Sequence, residues 1–219
     1  GTGGLLREAD LLQRQSRFSA QEWWNGLADL GLKVRPDSLK ISLFCYEPPA
    51  LEAWLKALAH ADAPLQVDLL ITPGRSADAW AKACQRLNLQ SLPPHLKAHV
   101  LPWLSQFEYD HLLWSCDLNF VRGEDSLVRA LWAGQPLVWQ IYPQDDGAHQ
   151  AKLEAFLDWL QAPASLRNFH QVWNGLATGS PPALTPSVLT DWGACISQAR
   201  QRLAAQADLV TQLLDFVAS

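Results

Sequence analysis

Between residues 39 and 161, short apolar runs alternate five times with stretches of helical spacing. Few folds tolerate that rhythm. Antiparallel strands can be joined by tight turns, but parallel neighbours need long crossovers. The alternation therefore predicts βαβ units, right-handed connections and a parallel sheet. The expected strands are 39–46, 65–72, 98–101, 118–121 and 137–142, punctuated by turn formers such as Pro48-Pro49 and Pro73-Gly74. Helices are expected over 51–61, 76–87 with Ser76 as N-cap, 105–115, 125–133, 148–161, 164–177 and 187–217. Leu5, Leu6, Ala9, Leu12, Trp23, Leu27 and Leu30 recur at helical spacing, so 5–30 reads as helix stopped by Gly31. The fold class is α/β, a Rossmann-like domain. Residues 1–36 form its helical lead-in and 37–180 the sheet domain. Residues 181–219 form a carboxyl-terminal helix that packs on the domain or reaches to a partner domain.

A chain of 219 residues, 48% hydrophobic, has ample material for a buried core. Its net charge of −5 gives no sequence-wide attraction for nucleic acid or anionic lipid, so any phosphate must be held locally. No apolar window is long enough to cross a bilayer and no signal peptide is visible, which places the expectation in the cytoplasm. Cys45, Cys84, Cys116 and Cys195 form no C-x-x-C pair and read as small hydrophobes in a reducing compartment. His95 and His99 are four apart but follow Pro93-Pro94, so no metal site is expected. The chain contains no Met, which reads as a piece of a longer protein, and 11 Trp, most of them expected as core or interface filler.

The candidate site lies where two successive strands end in polar loops. Loops at the carboxyl edge of an open α/β sheet are where ligands bind. Arg122-Gly123-Glu124-Asp125-Ser126 joins a strand to a helix start. Gly123 permits a close approach to the backbone. The helix amides offer an anion seat, Ser126 a hydroxyl, and Arg122 or Arg129 a positive charge. The same residues also suit simple helix capping by Asp125 or Ser126. Tyr142 and Gln144 follow the next strand, where Tyr142 could donate to phosphate and Gln144 read a hydroxyl, or both could sit in a solvent-facing turn. Phe44 and Tyr46 end the first strand, and Trp103, Gln106, Phe107 and Tyr109 follow the third. Aromatics so placed either clamp a flat base or belong to the core.

The run CDLNFVRGEDSLVRALWAGQPLVWQIYPQDDGAHQAKLEAFLDWL, with TGGLLREADLL and LFCYE, resembles the EarP family, bacterial arginine rhamnosyltransferases that modify elongation factor P. The resemblance implies the carboxyl-terminal half of a GT-B architecture, two Rossmann-like domains across a cleft. It implies inverting transfer of rhamnose from dTDP-β-L-rhamnose to an arginine of elongation factor P, with no metal or other cofactor. The family's proposed general base lies in a segment resembling DNFGDIGV, and nothing like it occurs here. Carried over by position, the family's loop pattern falls on Arg122, Gly123, Glu124, Asp125 and Ser126, of which Asp125, Ser126 and the helix-start amides would meet the diphosphate and Glu124 matches the family's functionally important acid. Tyr142 and Gln144 match its Y-x-Q element, Phe44 and Tyr46 its thymine clamp, and Trp103, Gln106, Phe107 and Tyr109 its second loop. The partners implied are elongation factor P and the nucleotide sugar, with no nucleic acid and no membrane. Two other readings keep the same fold: a non-enzymatic nucleotide- or partner-binding module, and a glycosyltransferase with a different acceptor.

Overall fold

The computed structural model describes residues 4–60, 65–89, 91–144 and 147–218. Among them, β1 (Leu39–Leu43), β2 (Val67–Ile71), β3 (Leu96–Val100), β4 (Leu118–Arg122) and β5 (Leu137–Gln140) form one sheet in the order β3-β2-β1-β4-β5. Every neighbouring pair is parallel, with Leu43 beside Ile71 on one side and Phe120 on the other. The crossovers carry α3 (Leu51–Ala59), α4 (Arg75–Arg86), α5 (Gln106–Ser115) and α6 (Asp125–Ala133). Before the sheet come α1 (Leu11–Arg17) and α2 (Ala20–Asp29). After it come α7 (Ala148–Leu160), α8 (Ala164–Trp173), α9 (Pro186–Ala204) and α10 (Leu209–Ala218). No helix among the described residues is long and apolar enough to cross a membrane.

Covering a parallel sheet on both faces requires strands that are apolar throughout. Ile41, Leu43, Leu69, Leu70, Ile71, Phe120 and Val138 are accordingly buried. Phe120 lies between Trp54 and Trp173, with ring centroids 4.8 and 4.4 Å away. Seven tryptophans, Trp24, Trp54, Trp114, Trp132, Trp139, Trp173 and Trp192, are buried, as the filler reading expects. The buried polar pair Ser42 and Asn119 satisfies itself. Ser42 Oγ donates to Asn119 Oδ1 at 2.6 Å, and Asn119 Nδ2 donates to the Leu113 carbonyl at 3.0 Å.

β5 is an edge strand, and an unpaired edge invites further pairing. Here α8 closes it with side chains. His170 Nε2 accepts from the Trp139 amide at 2.9 Å. Asn174 accepts from the Ile141 amide and donates to the Trp139 carbonyl, both at 2.9 Å. Burial pushes the His170 pKa down to about 4, which keeps Nε2 free to accept.

Several expected boundaries shift for identifiable reasons. Residues 5–30 are not one helix. Phe18 is extended and Ser19 starts α2, its hydroxyl accepting from the Glu22 amide at 3.3 Å. The Ser-x-x-Glu spacing of a capping box marked that break. The first strand stops at Leu43 rather than residue 46, because Cys45 and Tyr46 turn their amides to the side chains of Ser76 and Gln140. The last stops at Gln140 rather than 142, where Asn174 takes the Ile141 amide. Ser76 is not an N-cap. Gly74, at φ +77°, occupies that place. Ser76 instead accepts from the Cys45 amide and Thr72 hydroxyl and donates to the Cys45 carbonyl, stitching the ends of β1 and β2 together. Residues 164–177 stop being helical at Trp173, before Gly175 at φ +74°. The stretch 187–217 divides, because Asp208 accepts from the Val210 and Thr211 amides and starts α10.

The lead-in and the carboxyl-terminal region share the main core, to which Leu11, Trp192, Ile196 and Leu203 belong. The lead-in is further tied by Trp132 Nε1 donating to the Leu6 carbonyl at 2.8 Å and Gln15 Nε2 to the Ala133 carbonyl at 2.9 Å.

Candidate functional site

The chain builds outward from β1 to β3, then returns to the other side of β1 for β4. Crossovers therefore leave β1 and β4 in opposite directions, and a crevice opens outside their carboxyl ends. The β1 end supplies Phe44 and Tyr46, and the β4 end supplies Arg122 to Ser126. Between them lies a cavity of about 450 Å³ lined by Tyr46, Arg122, Gly123, Glu124 and Asp125 among others. A second cavity, of about 260 Å³, shares Phe44, Gln106 and Tyr109 with it and continues to Pro73, Trp103 and Leu104. One compartment is thus charged and next to a helix start, and the other is mostly aromatic and apolar.

Arg122 braces the charged compartment. Its guanidinium carbon lies 4.3 Å from the Phe44 ring centroid and 4.6 Å from that of Tyr46, and one nitrogen donates to the Cys45 carbonyl at 3.1 Å. Arginine stacks this way because its charge is planar and weakly hydrated. Arg75, paired with Glu47, lies 4.8 Å from the same Tyr46 ring. Tyr142 meets Tyr46 edge-on, with centroids 5.7 Å apart. The loops after β1 and β5 therefore touch through aromatics.

Gly123 turns β4 directly into α6 at φ +64°, a left-handed conformation that favours glycine. A Cβ there would sit 3.2 Å from the Tyr46 hydroxyl, so the bare peptide face and that hydroxyl are neighbours. Trp139 Nε1 holds the Gly123 carbonyl at 2.6 Å, linking this turn to β5. The first amides of α6 have no acceptor inside the helix. Glu124, in the cap position, gives them none from its side chain. Open amides beside an arginine and a tyrosine hydroxyl can bind a di-anionic group and stabilise charge as it develops there.

The expected residues do not all gather. Phe44, Tyr46, Gln106, Tyr109 and Arg122 to Ser126 line the charged cavity. Trp103, 82% exposed, forms the outer wall of the aromatic one. Tyr142 is exposed at the rim beside Tyr46. Phe107 lines neither cavity and lies under the Arg14 guanidinium of α1, 4.6 Å away. Gln144 is exposed and stands outside the lining, its backbone amide donating to the His149 ring. Asp145 and Asp146 fall outside the described residues. Tyr109 packs edge-on against Phe44 at 5.5 Å, and burial raises the pKa of its hydroxyl above the usual range. Burial also pushes the Cys45 thiol to about 12, so it is no nucleophile near neutrality.

Two expected roles change. The Ser126 hydroxyl is buried and spent on the backbone of Arg122, accepting from its amide at 3.0 Å and donating to its carbonyl. It locks the strand-to-helix turn, leaving its own amide for a ligand. Ser126→Ala should therefore lower stability by about 1–2 kcal/mol in urea unfolding, the cost of an unpaired buried amide. Arg129 is equally committed. It bonds both Asp110 oxygens at 2.7 and 2.8 Å and Glu8 at 2.5 Å, tying the lead-in to α5 and α6. Three contributors were not among the expected site residues: Gln140, whose side chain accepts the Tyr46 amide, Trp139, and Lys152, whose ammonium lies 2.5 Å from Glu124. Only Gln140, a polar residue in an apolar strand, could have been singled out.

The strand order, the parallel pairing and the crevice at the reversal of direction define a Rossmann-like α/β domain. The family described as Elongation-Factor P (EF-P) rhamnosyltransferase EarP matches residues 1–218. The chain is 42% identical over 240 residues to a protein-arginine rhamnosyltransferase of Pseudomonas putida, covering 98% of this chain and 60% of that one. It is 43% identical over 234 residues to the protein of that name in Pseudomonas aeruginosa, covering 99% and 61%. The chain thus belongs to the EarP family, and it spans about three-fifths of the length of these two relatives. A solved structure that gives the structural basis for EarP-mediated arginine glycosylation of translation elongation factor EF-P superimposes with a TM-score of 0.79 at 38% identity, over 98% of this chain and 72% of that one. Anabaena Alr3699/HepE in complex with UDP-glucose shares the fold alone, with a TM-score of 0.50 at 14% identity over 92% and 53% of the two chains.

Proposed function

We propose that this chain is the donor-binding, carboxyl-terminal half of a GT-B protein-arginine rhamnosyltransferase. It holds dTDP-β-L-rhamnose for transfer, with inversion, to an arginine of translation elongation factor P in the cytoplasm. The observation that carries this reading is the crevice where β1 and β4 diverge, with open α6 amides, Gly123 and Arg122 on one side and an aromatic slot on the other. The diphosphate lies on the amides and Arg122, and the thymine enters the slot beside Phe44, Tyr109 and Trp103. Arg122, the amides and the Tyr46 and Tyr142 hydroxyls stabilise the charge that builds on the departing phosphate, so no metal or cofactor is required.

The acceptor guanidinium is protonated and a poor nucleophile. It must lose a proton as it attacks. We assign that base to the part of the relatives this chain does not span, with Glu124 as a supporting acid at the mouth of the crevice. Alone, the chain binds donor and turns over little, because positioning across a cleft is lost. In calorimetric titration with dTDP, Tyr142→Phe should weaken binding about fivefold, the worth of one hydrogen bond, and equal affinities would remove Tyr142 from the site. Mass spectrometry of elongation factor P incubated with the full-length enzyme and dTDP-rhamnose should show a deoxyhexose increment on arginine. No increment, or one on another residue, would overturn the assigned reaction.

A further inference from the structure

We propose that Lys152 is a positioning residue, which holds the Glu124 carboxylate off the opening turn of α6 and so keeps the diphosphate seat clear. This rests on the donor-binding reading above. The short side-chain oxygens of Ser, Thr, Asp and Asn accept helix amides from the cap position, and the helix dipole draws any nearby carboxylate to the same turn. In this chain Ser19, Ser105 and Thr185 cap α2, α5 and α9 in that way, whereas the carboxylate of Asp10 before α1 is drawn off by Arg14 at 3.1 Å. Glu124 occupies the same position on α6 and makes no such bond. Its Oε1 lies instead 2.5 Å from Lys152 Nζ, carried by α7.

The geometry gives that ion pair a consequence for the ligand. A Glu124 carboxylate folded onto the α6 amides would occupy the donors that a phosphate needs, and its charge would repel the phosphate. Lys152 draws it outward and neutralises it. The pair also joins the loop after β4 to α7, the helix after β5, while the loop after β5 meets the loop after β1 where Tyr142 touches Tyr46. Lys152 and Glu124 are 53% and 73% exposed, so the effect is that of a solvent-screened pair and weakens as salt rises.

The test is a double-mutant cycle read by dTDP titration of wild type, Lys152→Ala, Glu124→Gln and the double variant. Lys152→Ala should weaken dTDP about three- to fivefold, the upper part of the range for an exposed pair. In the Glu124→Gln background the same change should cost nothing, because no carboxylate is left to intrude. Equal losses in both backgrounds would mean that Lys152 touches the ligand itself, and no loss in either would mean that Glu124 needs no restraint. Both results overturn the proposal while leaving the donor site standing. A wild-type chain that does not bind dTDP removes both.

Discussion

Replacing Arg122 with alanine should weaken dTDP binding about thirty- to hundredfold. A hydrogen bond to a charged group contributes about 1.5–3 kcal/mol, and Arg122 also shapes the crevice. Its guanidinium fills the space between the Phe44 and Tyr46 rings and ties the β4 end to the Cys45 carbonyl. Alanine removes the phosphate's cation and the packing between two strand ends together. Lysine keeps the charge and loses the flat surface between the rings, so Arg122→Lys should fall in between, about tenfold weaker. Calorimetry at fixed salt measures both. An Arg122→Ala affinity within twofold of wild type would exclude Arg122 from the phosphate site.

Acid should destabilise the protein through His170 between about pH 6.5 and 4. The fold lowers this pKa from 6.5 to about 4, because a charged imidazole cannot be solvated in the core. A lowered histidine pKa means that the folded state favours the neutral ring. Its contribution is complete above the unfolded pKa and is lost as pH falls toward the folded one. The size is about 3 kcal/mol. The consequence reaches the crevice, since protonated Nε2 cannot accept the Trp139 amide, and Trp139 holds the Gly123 carbonyl. Denaturant unfolding across this window should show the fall in wild type and a flatter profile in His170→Gln, whatever that substitution costs at neutral pH. An unchanged slope in the variant would place the acid sensitivity elsewhere.

The parallel sheet was legible because strand period, helix period and turn residues agreed over five successive units. The break before α2 was not legible in the apolar spacing of 5–30, because Ser19 makes it by capping, its hydroxyl taking the Glu22 amide. Strand ends were overestimated for a different reason. Phe44, Cys45 and Tyr46 have every local preference for a strand, and only the distant Ser76 and Gln140 side chains take the Cys45 and Tyr46 amides away. The site divided similarly. Gly123 and the α6 start follow from local chemistry. The spent hydroxyl of Ser126, the turning of Phe107 toward Arg14 and the hold of Lys152 on Glu124 depend on partners remote in sequence or on side-chain direction, which spacing does not encode.

The sharpest test of a diphosphate seated on the opening turn of α6 is amide-resolved NMR of this chain titrated with dTDP and, separately, with thymidine. The amides of Gly123 to Leu127 should shift with dTDP and stay near their free positions with thymidine, while residues around Phe44 and Trp103 respond to both. Saturating dTDP that leaves the Gly123 to Leu127 amides unmoved would contradict the placement of the phosphates and, with it, the donor-binding assignment of this crevice.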